Sequence, residues 1–178
     1  MRTIMFPGSR TAPAIALVQA CIALVAAGCG GSLPAVAPVK GVVTIGGQPL
    51  ADATVIFHTS EPVAGFGPLV ATGKTGDDGR FTLTTRVDAR RSLPGAPVGS
   101  HRVSVSAFVP PDGMTEAAYQ ALVTAFDERV TTKGHTAAGN PPPPKVSRVK
   151  PEFGDGQRSP LTAKVEAGGA NDFAFAVE

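Results

Sequence analysis

Val39-Lys40-Gly41-Val42-Val43-Thr44-Ile45-Gly46-Gly47-Gln48-Pro49-Leu50-Ala51-Asp52-Ala53-Thr54-Val55-Ile56-Phe57 holds two runs of β-branched and aromatic residues on either side of a glycine pair. Branched side chains suit a pleated, half-buried surface, so both runs predict strands. Gly46-Gly47 supplies a turn with positive φ at no steric cost. The second run extends from Ala53 to His58, with Val55 and Phe57 predicted to face inward.

The same grammar continues downstream. Leu69 to Thr75 reads as a third, weaker strand, and Asp77-Asp78-Gly79 as a tight hairpin turn. Arg80-Phe81-Thr82-Leu83-Thr84 alternates as a half-buried strand should. Gly95 to Gly99 reads as a Pro/Gly connection. His101 to Ser106 alternates again, with Val103 and Val105 inward. Leu161 to Val165 and Asn171 to Val177 complete the set, joined by a turn at Gly168-Gly169. Seven strands punctuated by Gly, Pro and Asp predict an all-β sandwich.

Residues 109–150 break the pattern. Tyr119, Leu122, Val123, Phe126 and Val130 recur at helical spacing, and Glu116, Gln120, Thr124, Asp127 and Glu128 fill the other side. An amphipathic helix is predicted over about 115–130. Such a helix usually buries its apolar stripe in its own domain, here over a sheet edge. The alternative is a partner-binding helix carried by Tyr119, Leu122, Val123 and Phe126. Pro141-Pro142-Pro143-Pro144 then predicts an extended, proline-rich return loop.

The N-terminus has a different character. Arg2 and Arg10 precede an uncharged apolar stretch from Ala12 to Ala27, interrupted by Pro13 and Gln19. Leu24-Val25-Ala26-Ala27-Gly28-Cys29 then gives small residues before a cysteine. This resembles the signal peptide of a bacterial lipoprotein over residues 1–28, with Cys29 as the lipidated residue. The resemblance implies diacylglycerol on the thiol and a third acyl chain, such as palmitate, on the freed amine; two or three chains anchor stably. Residues 29–38 are then a lipidated tether, with Pro34 and Pro38 stiffening it. Gly30 follows Cys29 rather than the aspartate associated with inner-membrane retention, which favours the outer membrane. The protein is expected outside the cytoplasm, held to the cell envelope.

Loss of residues 1–28 removes Arg2 and Arg10, so fourteen cations balance fourteen acids in the mature chain and nucleic acid is not an expected partner. Cys21 leaves with the signal and Cys29 is acylated, so no internal disulfide is expected. About 150 residues remain, the size of one domain. Tryptophan is absent and Tyr119 is the sole tyrosine, a poor supply of stacking platforms for a glycan-binding accessory role.

The stretch 39–57 and the run Gly73-Lys74-Thr75-Gly76-Asp77-Asp78-Gly79-Arg80-Phe81-Thr82-Leu83 resemble the hallmarks of carboxypeptidase regulatory-like domains. Pro97 to Val105 resembles their later glycine-then-strand element, and Ser159 to Thr162 with Asn171 to Phe175 the close of short bacterial lipoproteins carrying this domain. The likeness covers about residues 39–108 and 150–178, leaving the insertion 109–150 outside it. It implies a seven-stranded, transthyretin-like Greek-key sandwich over residues 39–178. These motifs are turns and core positions and imply a fold rather than an activity.

His58-Thr59-Ser60-Glu61 matches the H-x-x-E zinc pair of metallocarboxypeptidases, which makes a metal-dependent hydrolase using His58 and Glu61 the enzymatic alternative. A zinc site needs a third ligand and a supporting shell, and nothing in the sequence ties His101 or His135 to this pair. In that family the zinc ligands belong to a separate, larger domain. Transthyretin-like hydrolases use clustered histidines, an arginine and a tyrosine-containing tail; this chain ends Phe175-Ala176-Val177-Glu178. Asp77 and Asp78 lack the further oxygens and distal Glu of a calcium loop. Arg86, Arg90 and Arg91 form a small basic cluster interrupted by Asp88, which reads as a solvated loop or a contact for anionic headgroups or glycans. The expectation is therefore a non-enzymatic, lipid-anchored interaction or structural module without a cofactor or metal. Its partners are the membrane, through acylated Cys29, and an envelope protein or glycan.

Overall fold

The structure is a computed structural model that describes residues 33–134 and 139–178, the side chain of Lys133 excepted. The signal stretch 1–28, Cys29 and His135 lie outside the described residues. Fourteen strands and two helices occur among the described residues. They are β1 (Val36–Ala37), β2 (Val39–Ile45), β3 (Gln48–Pro49), β4 (Thr54–Thr59), β5 (Val70–Lys74), β6 (Arg80–Thr82), β7 (Thr84–Arg86), β8 (Ser92–Pro94), β9 (Ala96–Pro97), β10 (Gly99–Ser106) and β11 (Phe108–Val109). Then follow α1 (Glu116–Lys133), β12 (Val146–Ser147), α2 (Pro151–Gly154), β13 (Thr162–Val165) and β14 (Asn171–Val177).

The larger sheet has the order β13-β10-β4-β5-β7-β8, all antiparallel. In the second, β2 pairs antiparallel with β3 and β6 and parallel with β14. Phe57 of β4 meets Phe81 of β6 and Phe173 and Phe175 of β14, with ring centroids 6.5, 5.7 and 5.9 Å away. The core therefore lies where the two sheets face each other. Val55, Phe57, Val103 and Val105, all expected inward, are fully buried there. Tilted ring pairs at these separations add to the hydrophobic gain of burial.

The turn at Asp77-Asp78-Gly79 follows from its residues, but it closes no hairpin: β5 before it and β6 after it pair in different sheets. The Asp78 carboxylate accepts from the Arg80 N–H at 3.0 Å, and Gly79 adopts φ +73°. The Gly79 carbonyl accepts from Val43 N–H at 2.9 Å, and a Cβ on Gly79 would come within 2.6 Å of the Val43 carbonyl oxygen. Only glycine meets both demands. Thr75, buried, ties the β3–β4 turn to β5: its hydroxyl donates to the Leu50 carbonyl at 2.6 Å and accepts from Ala53 N–H at 2.8 Å.

Several expectations are corrected. The strand expected over Arg80 to Thr84 is two: Arg80–Thr82 pairs with β2, Thr84–Arg86 with β5, and the chain changes sheet at Leu83. The Pro/Gly connection contains β9, paired with β1. The tether expected through residue 38 becomes part of the domain earlier, because Pro34 is buried and Val36–Ala37 is strand. The segment from Val149 to Ser159, for which no element was expected, covers the outer face of β10. There Phe153 is buried and the backbone of Gly156 lies against the His58 ring, so that a Cβ would sit 2.5 Å from Nε2. Ser104 alternates outward but is buried beneath this cover and shares a hydrogen bond with His58 at 3.1 Å.

Candidate functional site

The insertion forms an arm on a two-stranded root. Phe108 pairs with Ser147 and Val109 with Val146. Between these strands α1 runs outward and the proline segment returns. Thr115 caps the helix: its hydroxyl accepts from Ala118 N–H at 3.2 Å, satisfying one of the free donors of the first turn. Glu116 adds favourable charge beside the helix N-terminus. The helix ends at Lys133, three residues beyond the expected limit, and Gly134 donates its N–H to the Val130 carbonyl.

No residue of α1 with a described side chain is buried. The expectation that its stripe packs into the sheets is therefore corrected. Tyr119, Val123, Phe126 and Val130 are half-buried, and Leu122 is 44% exposed. Tyr119 meets the return segment. Its hydroxyl donates to the Pro143 carbonyl at 3.0 Å, and the Lys145 ammonium lies 5.1 Å from its ring centroid. A proline run has no N–H to donate and leaves its carbonyls free to accept, which suits a tyrosine on the facing helix. Lys145 also pairs with Glu116 at 2.7 Å, so one lysine fastens the first helical turn and the tyrosine together.

At the root lies a cleft of about 610 Å³, lined on the sheet side by Asp52, Thr54 and Lys74 and on the arm side by Phe108, Glu116 and Lys145. Two ion pairs stand in it, Asp52–Lys74 and Glu116–Lys145, each at 2.7 Å. The hydrogen bond from Lys74, and then its charge, holds the Asp52 carboxyl below its ordinary value. The bonds from Lys145 and then Gln120 do the same for Glu116. Asp52 and Lys74 are solvent-exposed and their pair contributes little to stability, whereas Lys145 is half-buried. Arg148 also lines the cleft and forms no ion pair among the described residues. Phe108 (55%), Val146 (53%) and Val109 remain exposed beside it. These root residues were not singled out from the sequence; the signal was the apolar run Ala107-Phe108-Val109 ahead of two prolines.

His58 and Glu61 do not converge. The His58 imidazole sits beneath Gly156 and bonds Ser104, whereas Glu61 lines a separate concavity with Pro62, Val98 and Ser100. Among the described residues no group of three His, Cys, Asp or Glu side chains could hold a metal ion. His101 is a core residue, 1% exposed, with its ring centroid 5.5 Å from that of Phe57. Its Nε2–H donates to the Pro97 carbonyl at 2.7 Å, and Nδ1 has no hydrogen-bond partner. Burial lowers its pKa from the ordinary value of 6.5, against the bond to Pro97. Arg86 and Arg90 are exposed, while Arg91 pairs with Asp88 at 2.6 Å. Among the described residues no helix is long and apolar enough to cross a membrane.

No protein-family model, no curated protein and no solved structure matches the chain.

Proposed function

We propose that this chain is a non-enzymatic, lipid-anchored module of the bacterial cell envelope that offers its helix-and-proline arm to another envelope protein. In this reading the domain is a transthyretin-like, Greek-key β-sandwich of the carboxypeptidase regulatory-like kind, and Cys29 carries the acyl chains. Two facing sheets and the Asp78-Gly79 turn support the fold part of the proposal. The Leu24-to-Cys29 run supports the anchor.

One observation carries the functional part. An 18-residue helix is built into the insertion 109–150, and none of its apolar residues is buried. Helices in proteins are held mainly by packing, so the support from Tyr119, Pro143 and Lys145 preserves a surface that the core does not use.

In-cell crosslinking of the full-length protein, beside a Leu122→Asp, Phe126→Asp variant, tests the role. A defined envelope protein captured by the wild type and lost from the folded variant is the expected result. Equal capture by both removes the helix from recognition. Labelling with an alkyne palmitate, compared with Cys29→Ser, tests the anchor separately; unchanged labelling overturns it.

A further inference from the structure

Pro34 is buried and the next residues pair as β1 with β9, so the domain holds the chain from Pro34 onward. Only Gly30, Gly31, Ser32 and Leu33 separate Pro34 from Cys29. Those five residue steps span at most about 18 Å when fully extended. The inference below rests on the proposed acylation of Cys29. If it holds, the end of the domain that receives the chain lies within that distance of the lipid.

The registers identify that end. The Val98 N–H donates to the Ala35 carbonyl at 2.9 Å, and the Ser60 N–H to the Ser100 carbonyl at 3.0 Å. His101 pairs with Thr59, Gly99 with Val165, and Arg86 with Ser92. With the antiparallel pairing of β4, β5 and β7, these bonds put the 60–69 loop, the 86–91 loop and Val98 at the same end of the larger sheet, with Val98 against Ala35. The opposite ends of the same strands, Thr54, Lys74 and Ser106, line the cleft at the root of the arm.

The chemistry of the chain-receiving end matches a bilayer surface. Arg86 and Arg90 are exposed and form no ion pair among the described residues. Val98 is 38% exposed, and Val63 and Phe66 are half-buried on the neighbouring loop. Asp88 is neutralised by Arg91, which leaves Glu61 as the acid on the 60–69 loop. Exposed arginines and partly exposed apolar side chains at one end of a domain fit a boundary between anionic headgroups and acyl chains.

We propose that this end is a membrane-contacting surface, set on anionic headgroups by Arg86 and Arg90 with Val98 and Phe66 at the same end, so that the root of the arm faces away from the bilayer. A cation near an anionic leaflet strengthens binding about fivefold, and the effect decays over a Debye length of about 8 Å. A tether of at most about 18 Å keeps this end of the domain close to the leaflet, and contact of the loops with the headgroups brings the arginines into that range.

Hydrogen exchange of the full-length protein, purified from membranes and reconstituted, tests the surface. The probes are vesicles of phosphatidylglycerol with phosphatidylethanolamine, and vesicles of phosphatidylcholine alone. Slower exchange over residues 60–68 and 86–91 in the anionic vesicles is expected, with residues 116–131 unchanged. Arg86→Gln with Arg90→Gln should bring the loops back toward their phosphatidylcholine rates. Loop exchange indifferent to lipid, or protection over the helix instead, overturns the proposal while leaving the anchor standing. The mass of the Cys29 peptide from the same sample separates the two readings. An unmodified peptide removes the anchor, and with it this inference.

Discussion

The facing sheets and the arm both carry regularly spaced apolar residues, yet only the sheets bury them. Phe57 has four ring neighbours and no exposed surface; Leu122, on a helix whose apolar residues are spread around it by Ala117, Ala118, Ala121 and Ala125, is nearly half exposed. Periodicity states which residues share a face, and a second apolar surface must exist before that face is covered. In the sheets each face finds its mate across the core. In the arm the proline segment meets the helix at Tyr119, and no apolar residue of the helix with a described side chain is buried.

The sharpest way to break this comparison is Phe57→Ala. Removing a fully buried ring from the centre of the aromatic cluster should cost about 3–5 kcal/mol, from lost transfer energy and an unfilled cavity. Chemical denaturation of the purified protein reads it. A loss below about 1 kcal/mol would mean that the core relaxes around the gap, against the close packing argued above.

Next in size is Gly79→Ala. Positive φ and the approach of the Val43 carbonyl act together, so a loss of about 1–3 kcal/mol is expected. Gly46→Ala offers the contrast: φ is +55°, but nothing lies within 4 Å of its Cβ. It should therefore cost less than Gly79→Ala in the same denaturation series. Equal losses would show that backbone conformation alone, and not the contact with β2, sets the demand at position 79.

These positions were legible in the sequence because each is a local rule. Asp78 and Gly79 read as a turn, and Val55, Phe57, Val103 and Val105 as one face, from spacing alone. The crossing at Leu83 was not legible, because alternation from Arg80 to Thr84 continues unbroken while the pairing partner changes. Nor was the cover over Ser104 and His58. It depends on a four-residue helix and a glycine, too short to show a period. For the arm, Thr115 and the stripe marked the helix closely; its partner, Pro143, was visible only as part of a loop. The candidate site was least legible at Phe108, Val146 and Arg148, brought together by a two-residue ribbon across an insertion.

His101 tests the core by pH. Its folded pKa is lowered by burial, so the unfolded chain takes up the proton first as acid is added. Stability from the neutral, buried ring is complete above the ordinary value of 6.5 and falls as pH drops below it toward the lowered value. Protonation would place a second N–H at Nδ1, which has no acceptor. His101→Gln should be less stable near neutral pH and show a flatter profile as pH falls below about 6.5. His58 and His135 remain in both proteins, so the difference between profiles isolates position 101. Parallel profiles would refute the assignment.

The smallest expected effect is the one that discriminates most. Leu122→Asp should change the stability of the whole chain by no more than about 0.5 kcal/mol, as a surface substitution does. The helix is held by its Thr115 cap and by the Tyr119 and Lys145 contacts, none of which involves Leu122. Tyr119→Phe removes the bond to Pro143 and should speed amide exchange in residues 116–131 without lowering the midpoint of global unfolding. Comparing the two separates a surface from a support. If Leu122→Asp lowers the global midpoint as a core substitution would, the arm belongs to the domain's cooperative unit and its exposed stripe is structural. If only Tyr119→Phe alters the arm, and neither touches the sheets, the arm is an independently supported element. Its apolar stripe is then available to a partner.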